Sequence, residues 1–101
     1  MKYQVFVTDA AFAEADQHVH FLSQVSPDAA IKLAEEFSKI GQDLADLPFS
    51  YTVIPFPGKG EYRRLVIQGR YAVVFKIQGN NVFVETIVDC RSKYSWLMLD
   101  Y

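Results

Sequence analysis

The chain has 101 residues, half of them hydrophobic, with a formal net charge of −2 and a single cysteine, Cys90. That length predicts one domain spanning residues 1–101 and leaves little room for a second; the lone cysteine excludes an internal disulfide; and no stretch approaches the ~18 consecutive apolar residues of a membrane span. The balance of charge is uneven: residues 1–50 set three basic side chains against eight acids, a balance of −5, and residues 51–101 set seven against four, a balance of +3. An anionic partner is therefore expected to meet the C-terminal half. Met1-Lys2-Tyr3-Gln4 leads directly into a strand pattern, so no cleavable signal is expected, and together with the single thiol this predicts a cytoplasmic protein.

In chain order, Tyr3–Val7 alternates β-branched and aromatic residues and predicts a strand. Thr8-Asp9 offers a helix N-cap, after which Phe12, Ala15, Val19 and Leu22 recur at helical spacing as far as Gln24-Val25. Ser26-Pro27-Asp28 restarts the chain with a capping serine, proline at the first helical position and an acid in the first turn. Ala30, Leu33, Phe37, Ile40, Leu44 and Leu47 then form one seam that predicts a single helix closed by Pro48, with Gly41 beside the seam permitting close approach of a neighbour. Two amphipathic helices joined by so short a link form an antiparallel hairpin. Prolines and glycines from Pro48 to Gly60 exclude a regular helix there. Strands are expected at Tyr62–Ile67, Tyr71–Ile77 and Val82–Val88, joined by turns at Gln68-Gly69-Arg70 and Gln78–Asn81. The tail Arg91–Tyr101 is amphipathic, with Trp96 and Leu97 expected to pack on the sheet. The predicted fold is α+β, in the order β-α-α-β-β-β, with the helical hairpin packed on a small, mainly antiparallel four-stranded sheet.

The run from Tyr62-Arg63-Arg64-Leu65 through Gly69-Arg70-Tyr71 to Phe75-Lys76-Ile77 resembles the strand–turn–strand signature of the RelE/ParE toxins. Ile87-Val88-Asp89-Cys90-Arg91-Ser92-Lys93-Tyr94 is similar to that family's last strand and basic, aromatic tail, and the hairpin ending Leu44-Ala45-Asp46-Leu47-Pro48 resembles its ParE branch. The resemblance implies the toxin of a type II toxin–antitoxin pair, held inactive by a cognate antitoxin and needing no cofactor and no metal. RelE-like members cut messenger RNA on the ribosome; ParE-like members bind DNA gyrase and do no chemistry of their own. The tail favours the first reading, a metal-independent endoribonuclease with ribosome and mRNA as partners. The gyrase binder is the alternative, and the oligomeric state is left open.

Metal-free RNA cleavage needs a base for the ribose 2′-hydroxyl, an acid for the leaving oxygen, and cations for the charge developing on phosphorus. By the resemblance, Arg91 would clamp phosphate, Tyr94 would donate a proton or stack, and Lys93 would stand where the nuclease branch carries a histidine. Arg64 and Arg70 are further candidates, with Lys59, Arg63 and Tyr101 behind them. Ala72 occupies the position of a catalytic arginine in the nuclease branch, and Arg70 replaces it only if the turn brings it inward, against an expectation of exposure. Arg63 and Arg64 are adjacent on a strand and so point to opposite faces. His18 and His20 lie two apart on a helix, too divergent to share a metal, and both are expected to be exposed, as is Glu85.

Overall fold

The computed structural model describes residues 2–54 and 60–91. Strand β1 (Gln4–Val7) leads into helix α1 (Asp9–Ser23), followed by α2 (Pro27–Ser38), α3 (Ile40–Asp46), a 3-10 turn at Pro48–Ser50, and strands β2 (Thr52–Ile54), β3 (Tyr62–Ile67), β4 (Tyr71–Gln78) and β5 (Asn81–Asp89). The sheet runs β1-β5-β4-β3-β2, antiparallel except for the parallel pairing of β1 with β5. The fold is thus the expected α+β arrangement with five strands rather than four. The added strand is β2, which lies in the proline-rich stretch and pairs Thr52–Ile54 with Arg64–Tyr62 at the sheet edge. Among the described residues no helix is long and apolar enough to cross a membrane.

Helices α1 and α2 begin where their sequence says they should. Thr8 Oγ1 accepts from the Ala11 N–H at 3.1 Å and donates to the Glu85 carbonyl at 3.2 Å, so one hydroxyl caps α1 and ties it to β5. Ser26 Oγ accepts from the Ala29 N–H, with Pro27 in the first turn of α2. The single long helix expected from Ala30 to Leu47 is instead two. Lys39 sits at φ −92°, ψ −4°, in the bridge region that breaks a helix, and α3 starts without a side-chain cap. The break keeps Ile40 and Leu44 buried but leaves the last seam residue, Leu47, 70 % exposed.

Strand β4 lies at the centre, with Tyr71 to Phe75 all buried. Alternation sends Tyr71, Val73 and Phe75 toward the helices, where they pack with Leu33, Ile40, Leu44, Val82, Val84 and Ile87. Ala72 and Val74 face the other way, with Ile54 and Cys90. The β3–β4 turn has positive φ at Gln68 (57°) and Gly69 (62°), closed by the Arg70 N–H on the Ile67 carbonyl. This is the backbone that a tight hairpin requires.

Plain alternation fails in β5. Val74 pairs with Thr86 but Phe75 pairs with Val84, leaving Glu85 as an extra, bulged residue. The bulge resets the phase, so that Val84 and Ile87, three apart, both enter the helix-side core. Helix α1 binds it closely. The Glu14 carboxylate accepts from the Thr86 hydroxyl at 2.8 and 3.0 Å and from the Ile87 N–H at 3.2 Å, and His18 Nε2 lies 2.8 Å from the Ile87 carbonyl. A carbonyl only accepts, so Nε2 is the donor. His18 is therefore half-buried against the Tyr71 ring (5.1 Å), not exposed as expected, because the bulge presents it with a carbonyl. Glu85 is likewise only partly exposed and pairs with Lys76 at 3.3 Å.

Candidate functional site

The candidate residues separate on the two faces of the sheet. Tyr71 lies directly across from Asp89, and both belong to the helix side. Arg70, last residue of the turn, folds back over the Tyr71 ring (4.8 Å) and bonds Asp89 Oδ2 through Nε at 3.1 Å and a terminal nitrogen at 2.9 Å. Arg91 reaches the same carboxylate from the end of β5: its backbone N–H and Nε lie 3.1 and 3.2 Å from Oδ1, and Nε is also 3.2 Å from Oδ2. Arg70 is thus half-buried, contrary to the exposure expected beside a hairpin glycine, because a carboxylate across the strand pair takes its fork.

This cluster joins Arg70 and Arg91, two of the five site residues expected from sequence. A third, Arg64, pairs with Val74 on the opposite face, where its charge acts on Cys90. Lys93 and Tyr94 lie outside the described residues, as do Lys59, Tyr101 and the expected packing of Trp96 and Leu97. Arg63 points away from Arg64 as strand geometry requires, and its role is structural. It donates to the carbonyls of Phe49 (3.1 Å) and Tyr51 (2.8 Å), pairs with Glu61 (2.8 Å) and stacks on the Phe49 ring, fixing the 3-10 turn and β2 against β3.

The electrostatics of the cluster limit its chemistry. Burial would raise the Asp89 pKa, but hydrogen bonds from Arg70 and Arg91 outweigh burial and hold it below the ordinary carboxylate value. Asp89 is therefore an ionised acceptor, saturated with donors and weakly basic. Burial pushes up the phenol of Tyr71 and the thiol of Cys90, so both stay protonated at neutral pH and neither is an activated nucleophile. Ala72, which the resemblance sets at the position of the nuclease branch's arginine, is fully buried with Ile54, Val74 and Cys90. Among the described residues no cluster of His, Cys, Asp or Glu is arranged to hold a metal ion.

A second feature was not anticipated from sequence. Where α1 and the α2–α3 arm diverge over the sheet, they leave an open groove of about 470 Å³. Val7 and Ile87 form its floor, Phe12, Ala15, Asp16 and Val19 one wall, and Ala34, Phe37, Ser38 and Gly41 the other, with Ile40 beside them. Phe12 belongs to the expected apolar face of α1 yet is 64 % exposed, because its side chain borders this groove and not the closed core. The signal was present in the sequence as Phe12 and Gly41, but only the helix break shows that they face one another.

The fold can be placed among known structures. A chain from the solved structure of the "chromosomal ParDE TA system from P. aeruginosa" superposes with a TM-score of 0.68 and 18 % identity, over 86 % of this chain and 95 % of that one. At that identity the likeness establishes the fold, which is the RelE/ParE architecture expected from the Tyr62–Ile77 signature. No family model and no curated protein matches the chain.

Proposed function

We propose that this chain is the toxin of a toxin–antitoxin pair and that it acts in the ParE manner, by binding a macromolecular target, DNA gyrase, without cutting RNA. The observation that carries the reading is the Arg70–Asp89–Arg91 cluster. A nuclease needs its arginines free for phosphate, whereas here the half-buried Arg70 fork is held by Asp89 of the same chain, and the more exposed Arg91 shares that carboxylate. The buried Ala72 points the same way. The shared architecture with a chain of a ParDE system supports the pairing with an antitoxin. The open apolar groove of the hairpin is the surface such a partner would cover, since an apolar concavity left in water is a typical docking site.

Expression of the chain alone in a bacterium, with transcripts mapped by primer extension, tests this reading. Growth should stop while ribosome-associated messages remain intact. Normal growth at verified expression would reject the toxin assignment, and growth arrest with messages cut on the ribosome would replace target binding with cleavage.

A further inference from the structure

The Arg70–Asp89–Arg91 cluster holds more donors than its carboxylate can satisfy. Asp89 Oδ2 meets Arg70 through Nε at 3.1 Å and a terminal nitrogen at 2.9 Å, and Arg91 through Nε at 3.2 Å and a terminal nitrogen at 3.1 Å. Oδ1 takes the Arg91 backbone N–H at 3.1 Å and shares Nε at 3.2 Å. A carboxylate offers about four lone-pair sites, and here two nitrogens of Arg70 and three of Arg91 compete for them. Two guanidinium forks converging on one oxygen is the arrangement by which arginines grip a phosphate.

The charges do not cancel either. Two arginines against one carboxylate leave the cluster at +1, within a C-terminal half whose balance is +3. The two forks differ in mobility. Arg70 is 24 % exposed and lies over the Tyr71 ring, whereas Arg91 is 62 % exposed and faces solvent. An anion arriving from solvent therefore meets Arg91 first, and finds a like charge already between the two forks.

We infer that Asp89 is the specificity-determining residue of this surface: its carboxylate occupies a phosphate seat built by Arg70 and Arg91 and so keeps RNA phosphate out. The inference rests on the target-binding reading above and names the group that turns the chain away from RNA. A carboxylate two residues from Arg91, and across the strand pair from Tyr71, competes at a far higher effective concentration than a phosphate in solution. It also repels that phosphate, which excludes the wrong ligand more strongly than a neutral side chain would. Removing the charge while keeping the shape leaves the two forks at +2 around a neutral acceptor.

Asp89→Asn makes that change by exchanging one oxygen for nitrogen, and Asp89→Ser keeps a short acceptor for the turn at Arg91. Binding of a short fluorescein-labelled single-stranded RNA is followed by fluorescence anisotropy at low salt, with circular dichroism confirming that each variant is folded. Both variants should bind at least about tenfold more tightly than the unaltered chain, the scale of one charge-assisted hydrogen bond. The log–log dependence on salt should steepen by about 0.7, the contribution of one phosphate contact on a single strand. Inorganic phosphate should displace the RNA from both variants, and Arg91→Gln added to Asp89→Asn should abolish the gain. Asp28→Asn changes net charge equally at the start of α2 and should bind as the unaltered chain does. No gain in a folded variant, an equal gain from Asp28→Asn, RNA that phosphate does not displace, or a gain that survives Arg91→Gln would overturn the inference. Growth arrest and gyrase inhibition by the unaltered chain are read separately, so failure of the seat and failure of the target-binding reading remain distinguishable.

Discussion

Phe75→Ala should cost about 3–5 kcal/mol, the range for removing a fully buried aromatic ring from a packed core. Phe75 is 0 % exposed, lies mid-way along the central strand, and takes the Tyr51 ring edge-on at 5.8 Å. It faces the helix-side core just where the β5 bulge changes phase, so the void it leaves is bounded on several sides by elements that cannot collapse together. Small domains have only ~5–15 kcal/mol to lose. With an unfolding slope of about 1–1.5 kcal/mol per molar urea for a chain of this length, the midpoint should fall by roughly 2–5 M. A shift under ~0.5 M would show that the helical layer is not anchored on β4.

Asp89→Ala should destabilise the chain by about 1–2 kcal/mol at neutral pH, nearly all of it from the Arg70 fork, because Arg91 is 62 % exposed and its share is screened by solvent. The pH dependence has a definite sign. The folded Asp89 pKa lies below its ordinary value of 3.8, so the unfolded chain binds the proton first. The stabilisation is therefore complete above the unfolded pKa and is lost as pH falls through the lower, folded one. Urea midpoints of the unaltered and Asp89→Ala chains should differ at pH 7 and converge toward pH 3 and below. A gap that stayed constant with pH would mean that the carboxylate contributes through packing and not through its charge.

The sequence and the structure agree where the signal is local and part where it is not. The caps at Thr8 and Ser26, the Gln68-Gly69 turn and the core stripe of β4 follow from residues adjacent in the chain. The break at Lys39 could not be read, because the apolar seam runs through it unbroken and lysine is a good helix former. Strand β2 has only three residues and exists because β3 offers it an edge, with Arg63 holding the preceding turn. The bulge at Glu85 did leave a trace: Val82, Val84 and Ile87 are the buried positions, and the step of three after Val84 is a phase slip that strict alternation passes over. The partner of Arg70 was the least legible feature. Asp89 is 19 positions away, and it becomes the cross-strand neighbour of Tyr71 only after the bulge has set the register. Once that pairing is known, an arginine that sequence alone casts as a phosphate ligand becomes half of an internal ion pair.

Inhibition of DNA gyrase by the purified, antitoxin-free chain is the most direct measurement of the proposed mode of action. Negative supercoiling of a relaxed plasmid should fall with increasing protein, while messenger RNA on programmed ribosomes incubated with the same preparation stays full-length. Undiminished supercoiling at stoichiometric excess over gyrase, with the message cleaved, would contradict the account and return Arg70 and Arg91 to the role of phosphate ligands.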